Sequence, residues 1–264
     1  MNVGGRSLGR VRRALFKPVY YRGVANMALI CPDFGDVLGR YLWGTGRYPA
    51  QIRVRTPLGV QAPSVYSHGD VCTVTEIFCR HDYRAGRDVE VVVDIGSNIG
   101  LSALYFLTRN ARARCYLYEP VAANVERLRA NLAAFADRWM LHEVAVADRV
   151  GRLAFGVEAT GRYGGLQAFQ HDDFLSRWNE ASYTEVQCVH INTVLAEVLA
   201  REGRIDLLKI DTEGAELDTV AAIDPEFRRR IGVIYVEATG YSTTLRLKPD
   251  TQVLDLLPLL TRRA

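Results

Sequence analysis

The run Val89-Glu90-Val91-Val92-Val93-Asp94-Ile95, apolar almost throughout and closed by Gly96, constrains this chain more than any other feature. A strand that is apolar at successive positions has no solvent face, so helices must cover both of its sides, as in a parallel sheet. The downstream chain keeps that rhythm. Asn98 to Thr108 reads as a helix, Cys115 to Glu119 as a second strand, and Ala122 to Phe135 as an amphipathic helix with Val125, Leu128 and Leu132 on one face. Met140 to Ala147 reads as a third strand, Arg152 to Val157 and Val186 to Ile191 as additional strands, and Thr193 to Arg201 as a helix. Ile205 to Asp211 is the next buried strand, Ala215 to Ile223 its helix, and Ile231 to Glu237 a further strand. Strands alternating with helices imply right-handed crossovers and an α/β, doubly wound, Rossmann-like sheet.

The flanks are less regular. Residues 1 to about 50 suggest a helix or two followed by irregular chain, and Gln51 to Tyr66, interrupted by Pro57-Leu58-Gly59, reads as a β-hairpin. Asp70 to Tyr83 reads as a short helix capped near Asp70 or Thr73. The chain therefore divides into an N-terminal extension, residues 1–70, and one catalytic-type domain, residues 71–264. Gly161 to Ser182 interrupts the alternation where no core element is needed. With Arg162, Tyr163, His171, Asp172, Asp173 and Trp178 it is a candidate lid or acceptor loop, or else plain solvent loop.

Composition excludes several classes. Hydrophobic residues at 48% and charged residues at 24% are those of an ordinary globular protein. The five cysteines are odd in number and scattered, without a C-x-x-C pair, which argues against a disulfide framework or structural zinc. Cys115 and Cys188 read as small core residues. A net charge of +3 gives no nucleic-acid footprint. Arg6, Arg10, Arg12, Arg13, Lys17 and Arg22 lie in an acid-free opening segment, and a solvated leader accounts for them better than a transit peptide or a surface docking on anionic lipid or an acidic partner does. No apolar run approaches a membrane span or a secretory signal, so a cytoplasmic location is expected.

Ligands of open α/β sheets bind beyond the carboxyl ends of the strands, which directs attention to Asp94-Ile95-Gly96-Ser97-Asn98-Ile99-Gly100. Its glycines are four apart and an acid precedes them, unlike the dinucleotide fingerprint. A carboxylate repels pyrophosphate but favours a ligand with an ammonium and a sulfonium, such as S-adenosylmethionine, directly or through water. Gly96 and Gly100 suit close approach and a tight turn. Glu119, ending the second strand, stands where such folds place an acid against ribose hydroxyls, and Ala147 and Asp148 stand near an adenine in the same geometry. A helix cap for Asp94, an exposed strand end for Glu119 and a plain turn after Ala147 are the simpler alternatives. Order and spacing together favour a binding site.

With these residues go Tyr118-Glu119-Pro120, Asn124, Asn131, Ala145-Val146-Ala147-Asp148 with Gly151, and Leu208-Lys209-Ile210-Asp211-Thr212-Glu213-Gly214-Ala215-Glu216. Across about Glu76 to Glu237 the chain resembles the FkbM methyltransferase family. The resemblance implies S-adenosylmethionine-dependent methylation of a hydroxyl, often of a sugar or secondary metabolite. It also implies donor contacts through Gly96, Ser97, Asn98, Gly100 and Pro120, with Glu76 and Tyr83 closing over the donor. Class I methyltransferases usually finish with an antiparallel hairpin. After Glu237 there is room for little more than a helix around Gln252 to Leu260, so the hairpin is expected to be absent or reduced. The edge so exposed would be covered by the Gln51 to Tyr66 hairpin, a loop or a second copy of the chain. The competing readings are a nicotinamide-dependent oxidoreductase, disfavoured by Asp94 and the glycine spacing, a non-catalytic binding subunit, and an RNA methyltransferase without a stacking platform.

A neutral hydroxyl is a poor nucleophile and needs a base or a metal to take its proton. Lys209 and Asp211, two apart, share a strand face, with Glu213 in the following turn and Glu237 ending the neighbouring strand. Asp211 is the candidate base or divalent-metal carboxylate, with Lys209 lowering its pKa or steadying the forming alkoxide, and Glu213 and Glu237 are lesser candidates. A buried Lys209–Asp211 ion pair with only a structural role is the alternative.

Overall fold

The computed structural model of the chain describes residues 2–3, 6–7, 18–157, 164–166, 182–237 and 244–248. Two helices, α1 (Pro18–Ile30) and α2 (Phe34–Trp43), are the first of its longer elements. The expected hairpin follows in two antiparallel pieces, β1 (Ala50–Gln51) with β4 (Ser64–Val65), and β2 (Val54–Thr56) with β3 (Gly59–Gln61). It is tied to the rest by Asn131, whose amide donates to Ser64 O and Ile99 O at 3.1 and 2.9 Å and accepts from Ser64 N at 2.8 Å. Helix α3 (His68–Val74) is capped by Ser67, not by Asp70 or Thr73. Asp70 is the third residue of a capping box and accepts from the Tyr66 and Ser67 amides. The helix runs into a π-helical turn, Thr75–Arg80, closed by His81 at φ 60°.

The strand run begins with β5 (Val91–Ile95), buried throughout, then α4 (Leu101–Leu107), β6 (Arg114–Tyr118) and α5 (Ala122–Asn131). The single third strand expected over Met140 to Ala147 is two. β7 (Trp139–His142) pairs with β6, whereas β8 (Ala145–Ala147) leaves the sheet to pair with another strand, the break falling just after the polar pair His142-Glu143. β9 (Gly151–Val157), β10 (Gly164–Leu166) and β11 (Ser182–His190) complete a second sheet in the order β8-β11-β9-β10. Part of the expected Gly161 to Ser182 loop is therefore strand. Arg162, Tyr163, His171, Asp172, Asp173 and Trp178 lie outside the described residues. Then come α6 (Ile191–Glu202), β12 (Ile205–Ile210), α7 (Glu216–Ala221), the short α8 (Pro225–Arg228), β13 (Ile231–Glu237) and β14 (Thr244–Leu247).

The main sheet has the order β14-β13-β12-β5-β6-β7 and is parallel except for β14, which runs antiparallel on β13. The chain's own β14, not the Gln51 to Tyr66 hairpin, thus covers the outer side of β13. The helix expected around Gln252 to Leu260 lies outside the described residues. Alternating residues divide the core as the pleat requires. Val92, Cys115, Leu117, Leu207 and Tyr235 pack with α4, α5 and the N-terminal elements, and Val93, Ile95, Tyr116, Leu208 and Ile234 with α6 and α7. A third cluster, built on Ala145, Phe155, Leu166, Val186 and Cys188, joins the second sheet to this frame. All five cysteines are buried free thiols, Cys115 and Cys188 among them. Among the described residues no helix is long and apolar enough to cross a membrane.

Candidate active site

Four neighbouring strands, β7, β6, β5 and β12, bring their carboxyl ends to one cleft. The turn after β5 is fixed from behind. Gly96 N and Ser97 N donate to Tyr118 O at 3.0 and 3.1 Å, and Ser97 Oγ donates to Asp94 O at 2.7 Å. Gly96 has φ 75°, and a Cβ there would lie 1.7 Å from Asp211 O. Its lack of a side chain therefore answers to the backbone at the end of β12, while the residue also lines the cleft. Gly100, at φ 84°, packs against Leu128 and Leu132.

Asp94 is wholly buried beneath this turn and does not line the cleft. Its Oδ2 accepts from Ser102 Oγ at 2.5 Å, and its Oδ1 faces Lys209 Nζ at 3.1 Å. Lys209 stands opposite Asp94 in the β5/β12 register, also buried. Its ammonium donates to Gly96 O at 2.9 Å and to Ile95 O at 3.4 Å and lies 3.3 Å from Asp211 Oδ2, so four protein oxygens share its three protons. Burial alone lowers an ammonium's pKa, but Asp94 and Asp211 together outweigh it and hold Lys209 above its ordinary value. Burial pushes Asp94 up, against the pull of Lys209 and Ser102.

Asp211 lines the cleft with a quarter of its side chain exposed, followed by Thr212 and Glu213. Their turn is held by a residue that sequence reasoning did not single out for a role. Glu216, buried, accepts from Thr212 N at 2.9 Å and from Gly214 N at 2.9 and 3.0 Å, and Glu213 takes φ 54°. Thr212 Oγ1 is buried in the cleft wall with no hydrogen-bond partner among the described residues. Glu237 and Tyr83 sit beside this turn instead of on the cleft. The Tyr83 hydroxyl donates to Glu237 Oε2, and the Tyr83 ring lies 5.5 Å from Lys209 Nζ. The Asp211 charge, then burial, pushes Glu237 up to about 8, with Glu76 adding to the rise and Lys209 opposing it. Glu76 pairs with Arg80 at 3.3 Å.

On the other flank Glu119 is buried, which excludes an exposed strand end, and it still lines the cleft. Oε2 accepts from Asn98 N at 2.8 Å, and Oε1 from Val121 N at 3.0 Å and Asn124 Nδ2 at 3.3 Å, which leaves lone-pair capacity for a further donor. Burial raises its pKa to about 7. Of the other sequence candidates Gly96, Asn98 and Pro120 line the cleft, whereas Ser97, Gly100, Ala147 and Asp148 do not. Asp148 is paired with Arg149 at 2.8 Å. In place of Ala147 and Asp148 the wall is formed by Val144, Ala145, Val146, Phe155 and Leu166. Phe155 and Leu166 belong to the second sheet, and no local pattern ties that sheet to the site. Among the described residues no group of three or more His, Cys, Asp or Glu is placed to hold a metal ion.

Residues 94–263 match the model of the methyltransferase FkbM domain. Among curated proteins the chain is similar to AMB antimetabolite synthetase AmbE of Pseudomonas aeruginosa, 27% identical over 191 residues, 62% of this chain but 9% of AmbE. It is similar to 2-O-methyltransferase NoeI of Sinorhizobium fredii, 29% identical over 177 residues, 64% of this chain and 71% of NoeI. It is also similar to 31-O-demethyl-FK506 methyltransferase FkbM of Streptomyces tacrolimicus, 26% identical over 211 residues, 70% of this chain and 80% of that protein.

Proposed function

The chain belongs to the FkbM methyltransferase family, and from that membership we propose that it transfers a methyl group from S-adenosylmethionine to a hydroxyl of a sugar or secondary metabolite. The names of NoeI and the Streptomyces relative, both O-methyl enzymes, support the choice of oxygen as acceptor. The sheet is read as a doubly wound, Rossmann-like class I frame with a reduced terminal hairpin, carried by residues 71–264 with 1–70 as its extension. The working location is the cytoplasm.

One observation carries the chemical reading: Asp211 stands at the cleft, a quarter exposed, with its carboxylate fixed by the buried ammonium of Lys209. The donor, when bound, supplies an electrophilic methyl on a cationic sulfur. The cleft suits it, since Glu119 offers an acceptor for ribose hydroxyls, the acids of the β12 turn favour positive charge, and Thr212 Oγ1 awaits a partner. The acceptor oxygen forms its bond to the methyl carbon as the carbon–sulfur bond breaks, the electron pair stays on sulfur, and the hydroxyl proton passes to Asp211. Lys209 has no donor left for the acceptor and acts as a positioning residue on Asp211 and Gly96. Glu213 and Glu237 border the same turn and rank behind Asp211.

Asp211→Asn tests this. The variant should fold and bind S-adenosylhomocysteine as the parent does, while turnover falls by about 10²-fold or more. Parental turnover would remove Asp211 from the mechanism. Reversible loss of turnover in EDTA would instead give the carboxylates a divalent metal to hold.

A further inference from the structure

The order of chemistry along the cleft is set by the order of strands. Apolar Val144 to Val146 follow β7, Glu119, Pro120 and Val121 follow β6, Gly96 and Asn98 follow β5, and Asp211 to Glu213 follow β12. If the donor's ribose lies at Glu119, its two ends must point toward β7 and toward β12. The reacting methyl has to reach Asp211, so the purine is left with the β7 side.

That side is closed by the second sheet. Phe155 and Leu166 are directly opposite one another in the β9/β10 pair, both face the cleft, and Val121 packs against the same cluster. A flat, weakly hydrated purine is matched by an aromatic ring and branched aliphatic side chains, whereas a sugar hydroxyl would find no polar side chain among Val121, Val144, Val146, Phe155 and Leu166. We infer that the second sheet serves the donor, with Phe155 and Leu166 as the wall of its purine subsite. This rests on the proposed donor. The sequence had pointed to the segment containing Leu166 as a candidate acceptor loop; here its strand is assigned to the nucleoside.

The test uses the full chain with ¹³C-labelled leucine methyls, the Leu166 signals being assigned by their loss in Leu166→Val. S-adenosylhomocysteine and adenosine alone should each shift the Leu166 methyls progressively to saturation through the purine ring current, and methionine alone should leave them in place. Phe155→Ala should weaken adenosine and S-adenosylhomocysteine by the same factor, roughly tenfold or more, the scale of one apolar side chain withdrawn from a contact. Phe155→Leu, which keeps most of the volume, guards against loss of fold and should weaken both ligands by a smaller common factor. If S-adenosylhomocysteine binds in calorimetry while the Leu166 methyls stay still and folded Phe155 variants bind it unchanged, the wall is only core. The purine subsite is then wrong and the donor reading stands. If the wild-type chain binds no S-adenosylhomocysteine, the donor reading fails and takes this inference with it.

Discussion

At the scale of single residues the decisive object is one ammonium shared by four oxygens. Removing Lys209 leaves Asp94 buried with only Ser102 to compensate it, and taking one partner from a buried pair costs about 3–5 kcal/mol. Lys209→Met should therefore lower the melting temperature markedly, and Asp94→Ala should lower it too, by leaving the buried ammonium only Asp211 as a charged partner. The double variant should be less damaged than the two single losses combined, a coupling that a thermodynamic cycle measures. Additive losses would mean that the two charges do not compensate each other. The sequence made the Lys209–Asp211 partnership legible, because residues two apart share a strand face. It could not reveal Asp94 as the third member, because that contact depends on β5 and β12 being neighbours in register. Nor could it tell that Asp94, expected to serve the donor directly or through water, lies under the turn and off the cleft lining.

At the scale of elements, two turns form the β5 and β12 part of the cleft floor, and each is shaped by a contact distant in sequence or hidden behind it. Gly96→Ala places a methyl 1.7 Å from Asp211 O at a φ that favours glycine, so one of the two turns must move. The variant should lose both stability and S-adenosylhomocysteine affinity; a folded Gly96→Ala that binds normally would show that the turns are not interlocked. Glu216 clamps the other turn through three hydrogen bonds to two amides. Glu216→Gln keeps the shape but puts an amide group where an acceptor is needed. Turnover should fall about tenfold or more while donor affinity changes little, as befits an effect of about one charge-assisted hydrogen bond on Asp211 and Glu213 alone. Equal losses in both would assign Glu216 a purely structural part. The glycine spacing located the first turn, but its reason lay in the partner strand. The acid of the second turn looked like one more member of a motif until its carboxylate was seen folded back on the backbone.

For the molecule as a whole, the parallel sheet was legible because strands buried on both faces leave long apolar runs. The second sheet was only partly so. β9 and β11 showed as short apolar stretches, but β10 is three residues, two of them glycine, and strand pairing carries no local signature. The arrangement also sets how stability responds to pH. Glu119 and Glu237 both hold protons more tightly folded than unfolded, at about 7 through burial and about 8 through Asp211 and burial. A raised acid contributes stability that is complete below its unfolded value and is lost as pH climbs through the folded one. Asp33 and Asp148 are shifted down, first by hydrogen bonds from Arg53 and Arg149, so their smaller contributions are lost on the acid side. The melting temperature of the ligand-free chain should therefore decline as pH rises from about 5 to about 9. Glu237→Gln, which cannot ionise, should melt close to the parent at the acid end of that range and above it at the alkaline end, because the buried charge facing Asp211 is gone. If the variant's curve ran parallel to the parent's over the whole range, Glu237 would not be the group that takes up the proton.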